Sequence, residues 1–241
     1  YVQESLFDEN AMNDVISNFM LPDVTINANI QEAEYKNWNE EWEEAGFERI
    51  NINDSITIYD ARHDDGNGIA SGISIGIETK QAFGTGTHET TRMIVSTLLN
   101  IDLKGKRVLD CGCGTGILGI AASKLGASEV VGYDIDEWSS ENAIHNAELN
   151  GVGNMKVMLG DASVLKSVEG KFDVVLANIN RNILLADMPA FVSVMADDSL
   201  LILSGFYASD VDLLMEKASS LGLSKIDSKS DSEWTCLVLK K

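Results

Sequence analysis

The 241-residue chain is short of several groups that other classes of protein depend on. Three cysteines are too few for a disulfide framework, and three histidines beside them leave no cluster with metal-ligand spacing. No metal is expected. Cys111 and Cys113 stand closer together than the C-x-x-C of zinc and redox sites, and Cys236 lies in an apolar run. All three read as small buried hydrophobes. No apolar stretch approaches the roughly 20 residues that span a bilayer, and no basic, apolar secretory segment opens the chain. It begins at Tyr1 rather than Met and reads as a cytoplasmic protein whose extreme N-terminus is missing. Internal repeats and low-complexity segments are absent from the sequence.

Basic residues are also scarce. Eighteen Lys and Arg face 38 Asp and Glu, a formal net charge of −20. Such a surface repels nucleic acid and anionic membranes, neither of which is expected as a direct partner, and attracts basic molecules. The imbalance is concentrated: the first 80 residues hold 17 acids against 4 bases, the remaining 161 hold 21 against 14. A basic protein substrate is the expectation that follows from that concentration.

What the chain does contain is an α/β pattern. From Gln81 onward, strand-like and helix-like segments alternate with short connections, the form of a doubly wound, mostly parallel sheet. Strands are expected at Arg107–Asp110, Glu129–Asp134, Met155–Leu159, Phe172–Ala177 and Ser199–Ser204, with helices including Ile117–Leu125 and Trp138–Asn150. Ser224–Asp227 and Thr235–Leu239 suggest a closing antiparallel pair at one sheet edge. Before Gln81 the pattern is weaker. Asp8–Phe19 reads as a helix, Val24–Glu32 as a strand, and Tyr35–Ala45 as an acidic helix with Trp38 and Trp42 packed on one face. Arg49–Ile52 and Ser55–Ala61 read as strands around Asn53-Asp54, followed by a polar loop at His63–Gly68.

The densest chemistry lies in Val108–Gly119, VLDCGCGTGILG, where a strand enters a loop with four glycines. Gly114, Gly116 and Gly119 spell GxGxxG, a pattern several nucleotide folds share. Asp110 closes the strand before the loop and Asp134 closes the next one. An acid at the mouth of the loop would repel a pyrophosphate but suits a ligand with a cationic end, such as S-adenosylmethionine (SAM) with its ammonium and sulfonium. Asp134, 20 residues beyond Gly114, is placed to accept from both ribose hydroxyls, a contact that SAM and NAD share.

Two further segments belong to the same strand ends. Ala82–Thr91, AFGTGTHETT, is a hydroxyl-rich loop before a helix, suited to covering a ligand; the alternative is that its threonines only cap the helix. His88 beside the helix start receives no role. In Ala177–Leu184, ANINRNIL, Asn178 is the first polar residue after an apolar strand. Its amide can orient an amine acceptor without taking its proton. Asp161, in the turn after the third strand, can accept from an adenine amino group or merely cap that turn.

With its flanking acids, the glycine motif resembles that of class I SAM-dependent methyltransferases. AFGTGTHETT, VLDCGCGTGILGIAASKLGA, VVGYDID and ANINRNIL together resemble the PrmA family, which methylates ribosomal large-subunit protein 11 (L11). The resemblance implies transfer of methyl groups from SAM to lysine side chains and an N-terminal amine of that basic protein. It implies cofactor contacts from Thr91, Gly112, Asp134 and Asn178, to which the motif reading adds Gly114 and Asp161, with Asn178 as the catalytic residue. It also implies three parts: residues 1–34 within a small α/β substrate-recognition domain, 35–48 as a linker helix and 49–241 as the methyltransferase domain. One departure stands out, because the family's asparagine-isoleucine-leucine becomes Asn178-Ile179-Asn180-Arg181 here. The alternatives are a SAM-dependent methyltransferase acting on another protein or a small molecule, an NAD-dependent oxidoreductase that leaves Asp110 and the threonine loop unexplained, and a non-catalytic ribosome-binding module.

Overall fold

Short runs rich in Val, Leu and Ile form the parallel strands of the main sheet. In the computed structural model, which describes residues 7–19, 24, 26–30, 46–69, 72–79 and 84–241, these runs are β4 (Arg107–Cys111), β5 (Glu129–Asp134), β6 (Met155–Leu159), β7 (Phe172–Asn178) and β8 (Met195–Tyr207). The hairpin of β9 (Ser224–Asp231) and β10 (Trp234–Lys240) completes the sheet, whose order is β6-β5-β4-β7-β8-β10-β9. The first five strands are parallel, and β10 runs antiparallel to both β8 and β9. The closing antiparallel pair lies where the sequence suggests, and the strands between are buried on both faces, as parallel strands flanked by helices must be.

One face carries α2 (Glu89–Leu98), α3 (Ile117–Lys124) and α4 (Glu137–Leu149), which pack Ile94, Leu98, Ile120 and Ala147 around Val108, Val130 and Val174. The other carries α5 (Arg181–Val194) and α6 (Val211–Ser220), with Leu184, Phe191 and Leu214 against Leu109, Val131 and Val175. Strand alternation therefore assigns consecutive residues of β4 to opposite cores. Gly119 of α3 has no side chain because the helix lies hard on the sheet. A Cβ there would stand 2.8 Å from Met155 Cε and 3.1 Å from Val130 Cγ1.

A second sheet precedes the first. Strands β1 (Ile50–Ile52) and β2 (Ile56–Asp60) are antiparallel, and β3 (Ile73–Ile77), which the sequence reading missed, pairs in parallel with β2. The outer edge of β3 is bonded by side chains of α4 and its C-cap. Asn150 exchanges bonds with the Gly76 N–H (3.0 Å) and C=O (2.7 Å), and Asn146 with those of Glu78 (2.9 and 3.0 Å). Asn142 adds a second bond to the Glu78 carbonyl, and the fully buried Asn146 also donates to Thr115 O in the glycine loop.

The chain divides into two compact units, residues 1–37 and 38–241. In the first, α1 (Glu9–Ser17) starts at Asp8, whose carboxylate accepts from Ala11 N at 3.0 Å, as expected of an acidic cap. The strand expected over Val24–Glu32 is not formed at residues 24 and 26–30, and its remainder lies outside the described residues. Five polar or backbone-bonding residues among these nine (Thr25, Asn27, Asn29, Gln31 and Glu32) leave little to distinguish an alternating strand from an extended segment. The expected linker helix at Tyr35–Ala45, with Trp38 and Trp42, also lies outside them.

Candidate active site

Parallel strands end their apolar runs at one rim of the sheet, and there the structure opens a cavity of about 700 Å³. That size suits a ligand of a few tens of heavy atoms. Thr91, Gly112, Gly114, Asp134, Asp161 and Asn178 all line it, so these six residues named in the sequence as cofactor contacts converge on one space. Gly84, Ile117, Ile135, Asn180, Ile183 and Asp187 are also in its wall.

The glycine loop shapes the floor, and its hydrogen bonds run inward. Gly112 N and Cys113 N both donate to Tyr133 O (2.9 and 3.0 Å), and Gly114 N donates to Asp134 Oδ2 at 2.9 Å. Gly116 N donates to Cys113 O. A pyrophosphate cradle needs those N–H groups turned toward the ligand, and here they are taken. Gly112 has φ of 67°, and a Cβ on it would meet Ile179 Cγ2 at 2.5 Å, so both backbone and space demand glycine.

Asp110 differs from its expected place. It does not line the cavity; it shares the α3 face with Val108, is 1% exposed, and accepts from Gly119 N at 2.9 Å. Strand alternation turns it beneath the loop rather than toward the mouth. Gly116, the N-cap of α3, has no side chain to cap with, and Asp110 supplies a carboxylate to the third N–H of that helix. Its Oδ1 is buried without a partner, and burial pushes the carboxyl up to about 7 despite the Gly119 bond.

At the rim, Asp134 holds Gly114 N through Oδ2 and Asp136 N through Oδ1 (3.1 Å). Each oxygen keeps a lone pair for a ligand donor. Asp161 accepts from Ser163 N at 2.9 Å, and bonding to the Ser163 hydroxyl and N–H holds its carboxyl below the usual range. It is a turn cap and a cavity wall at once. Asn178, at the tip of β7, donates through Nδ2 to Thr91 Oγ1 at 3.4 Å, which joins the asparagine and threonine motifs across 87 residues.

The threonine-rich loop is tied to the floor by Thr115, whose hydroxyl donates to Gly84 O at 2.6 Å. Of its four threonines, Thr91 reaches the cavity; Thr85 and Thr87 bond each other, and Thr90 bonds His88. The helix cap is His88, whose Nδ1 accepts from Thr90 N at 3.3 Å. The departure after Asn178 also has a structural use. Asn180 caps α5 through Ile183 N at 3.2 Å, and Arg181 pairs with Asp210 at 2.8 Å. All three cysteines are buried and free, and among the described residues no group of three or more His, Cys, Asp or Glu could hold a metal ion.

The strand order with its antiparallel penultimate strand, the glycine loop between β4 and α3, and the carboxylate at the tip of β5 define the class I SAM-dependent methyltransferase fold. The model of the family described as ribosomal protein L11 methyltransferase (PrmA) matches residues 2–241. A ribosomal protein L11 methyltransferase of Phocaeicola vulgatus is 47% identical over 237 residues, covering 98% of this chain and 83% of that protein. One from Bacteroides fragilis is 44% identical over 98% of this chain and 84% of its own. The crystal structure of a ribosomal protein L11 methylase from Lactobacillus delbrueckii subsp. bulgaricus superposes with a TM-score of 0.73 at 30% identity, covering 80% of this chain and 98% of that one. The chain belongs to the ribosomal protein L11 methyltransferase (PrmA) family. No helix among the described residues is long and apolar enough to cross a membrane.

Proposed function

We propose that the chain binds SAM in this cavity and transfers its methyl group to lysine and N-terminal amines of ribosomal protein L11 in the cytoplasm. The observation that carries the cofactor assignment is the inward hydrogen bonding of the glycine loop. With the loop N–H groups engaged and Asp134, Asp161 and Asp187 in the wall, the cavity offers acceptors where a dinucleotide would need donors. An adenosyl ligand with a ribose diol, an exocyclic amine and a cationic end meets that demand; the same feature disfavours a nicotinamide dinucleotide.

Bound SAM supplies an activated methyl on a sulfonium whose departure leaves a neutral thioether. The chain's own task is then positioning and exclusion of water. Asp134 would accept from the ribose hydroxyls and Asp161 from the adenine amine, and Gly112 and Gly114 would let the ligand approach the backbone. Thr91 occupies the Nδ2 donor of Asn178, which leaves Oδ1 to orient the acceptor amine. Before transfer that amine, with an ordinary pKa of about 10.4, must lose a proton.

Residues 1–34 act as part of the domain that selects the protein substrate, 35–48 as its linker and 49–241 as the methyltransferase domain. The acidity of the first 80 residues supports a basic partner. The test is incubation of the full chain with methyl-labelled SAM and unmodified ribosomal proteins. Label on L11 is expected. Label on other chains alone would retain the chemistry and remove the substrate.

A further inference from the structure

Asp187 was not selected by any sequence motif, and the roles above leave it unused. It lies on α5, one helical turn beyond Ile183, half-buried in the cavity wall. Unlike those of Asp110, Asp134 and Asp161, its carboxylate makes no hydrogen bond or ion pair to any described residue. The helix α5 packs against the short 3-10 helix Ala162–Ser167 that Asp161 caps, which brings the two acids to neighbouring parts of the cavity wall; partial burial pushes the Asp187 carboxyl above the usual range, and the charge of Asp161 adds to the effect.

The wall also carries apolar side chains. Ile135, immediately after Asp134, is 69% exposed and Ile183 is 38% exposed, although both line the cavity. Two exposed isoleucines in the same wall as two carboxylates suit a flat ring that carries hydrogen-bond donors. Asp134 holds the ribose side at the tip of β5; Asp161 follows the next strand, β6, one strand spacing further out. The base of an adenosyl ligand would therefore reach Asp161 and Asp187.

We propose that Asp187 is a specificity residue for the cofactor's base: with Asp161 it accepts the two N–H hydrogens of the adenine exocyclic amine. This rests on the reading that the cavity binds SAM. A single amine with two N–H groups satisfies two acceptors, whereas a 6-oxo base would turn an oxygen toward both carboxylates. The pair thus selects adenine and rejects hypoxanthine.

Calorimetric titration of the 241-residue chain with S-adenosylhomocysteine and with its 6-oxo analogue, S-inosylhomocysteine, tests this. The wild-type chain is expected to bind the adenine compound at least about tenfold more tightly, the worth of one charged hydrogen bond. Asp187→Leu should lose about tenfold for the adenine compound and bind the 6-oxo analogue no less tightly, with a gain where the repulsion is relieved. Asp187→Asn, near-isosteric and able to donate to a 6-oxo group, should narrow the preference while the thermal melt stays unchanged. Wild-type affinity and preference in both variants would overturn the role of Asp187 and leave the SAM reading standing. Failure of the wild-type chain to bind either compound would overturn that reading, and this inference with it.

Discussion

Replacing Asp110 by Asn should make the folded state less sensitive to pH, with a magnitude that follows from burial. Asp110 is fully buried, with one oxygen bonded to Gly119 N and the other orphaned, and its carboxyl is pushed from 3.8 up to about 7. A folded-state value above the unfolded one means that the folded chain holds the proton more tightly. The associated stability is fully present below about pH 3.8 and is lost as pH rises through about 7. At about 1.4 kcal/mol per tenfold change in proton affinity, the limit is about 4 kcal/mol, of which about 3 falls between roughly pH 4.5 and 8.5. Asn keeps an acceptor for Gly119 N and cannot ionise. Urea unfolding of both proteins without ligand should therefore give a stability difference, wild type minus Asp110→Asn, that falls by about 3 kcal/mol across that range. A difference that is flat with pH, or that rises, refutes the assignment of a buried, proton-holding carboxylate beneath the loop.

Other substitutions separate binding from turnover and from folding. Asp134→Ala removes the acceptor of Gly114 N and the proposed ribose contact, and should weaken SAM binding by about tenfold or more in calorimetry. Asn178→Ala should lower the single-turnover rate on L11 much more than it changes SAM affinity; an unchanged rate would remove its orienting role. Asn146→Ala leaves the Glu78 N–H and the Thr115 C=O without their buried partner, while Asn142 still serves the Glu78 C=O, and should cost about 2–4 kcal/mol in denaturant unfolding.

The centre of the main sheet was legible because β5 and β7 announce themselves as apolar runs that stop at a polar residue. Asp134 and Asn178 end β5 and β7 where those runs stop, and the cavity opens beside them. The direction of Asp110 was not legible, since a strand's alternation becomes meaningful only when the helices covering each face are known. β3 escaped notice because ISIGI is five residues long and contains a glycine. Asp187 stands between Leu184 and Met188, which face the core, and only the rotation of α5 reveals that it reaches the cavity. One signal was present and unused: Asn142, Asn146 and Asn150 recur every fourth residue in a helix, where asparagine is a poor choice unless its amide has somewhere to go.

That asparagine spacing turns a helix into the neighbour a strand would otherwise lack. Four residues of α-helix advance about 6 Å, and two residues of strand advance about 6.6 Å, so Asn146 and Asn150 meet Glu78 and Gly76 nearly in step. The amides take the N–H and C=O groups that an incoming strand would seek. The outer edge of the small sheet is thereby closed to strand addition from a second molecule, and a chain carrying Ala at these positions would expose a template for edge-to-edge association.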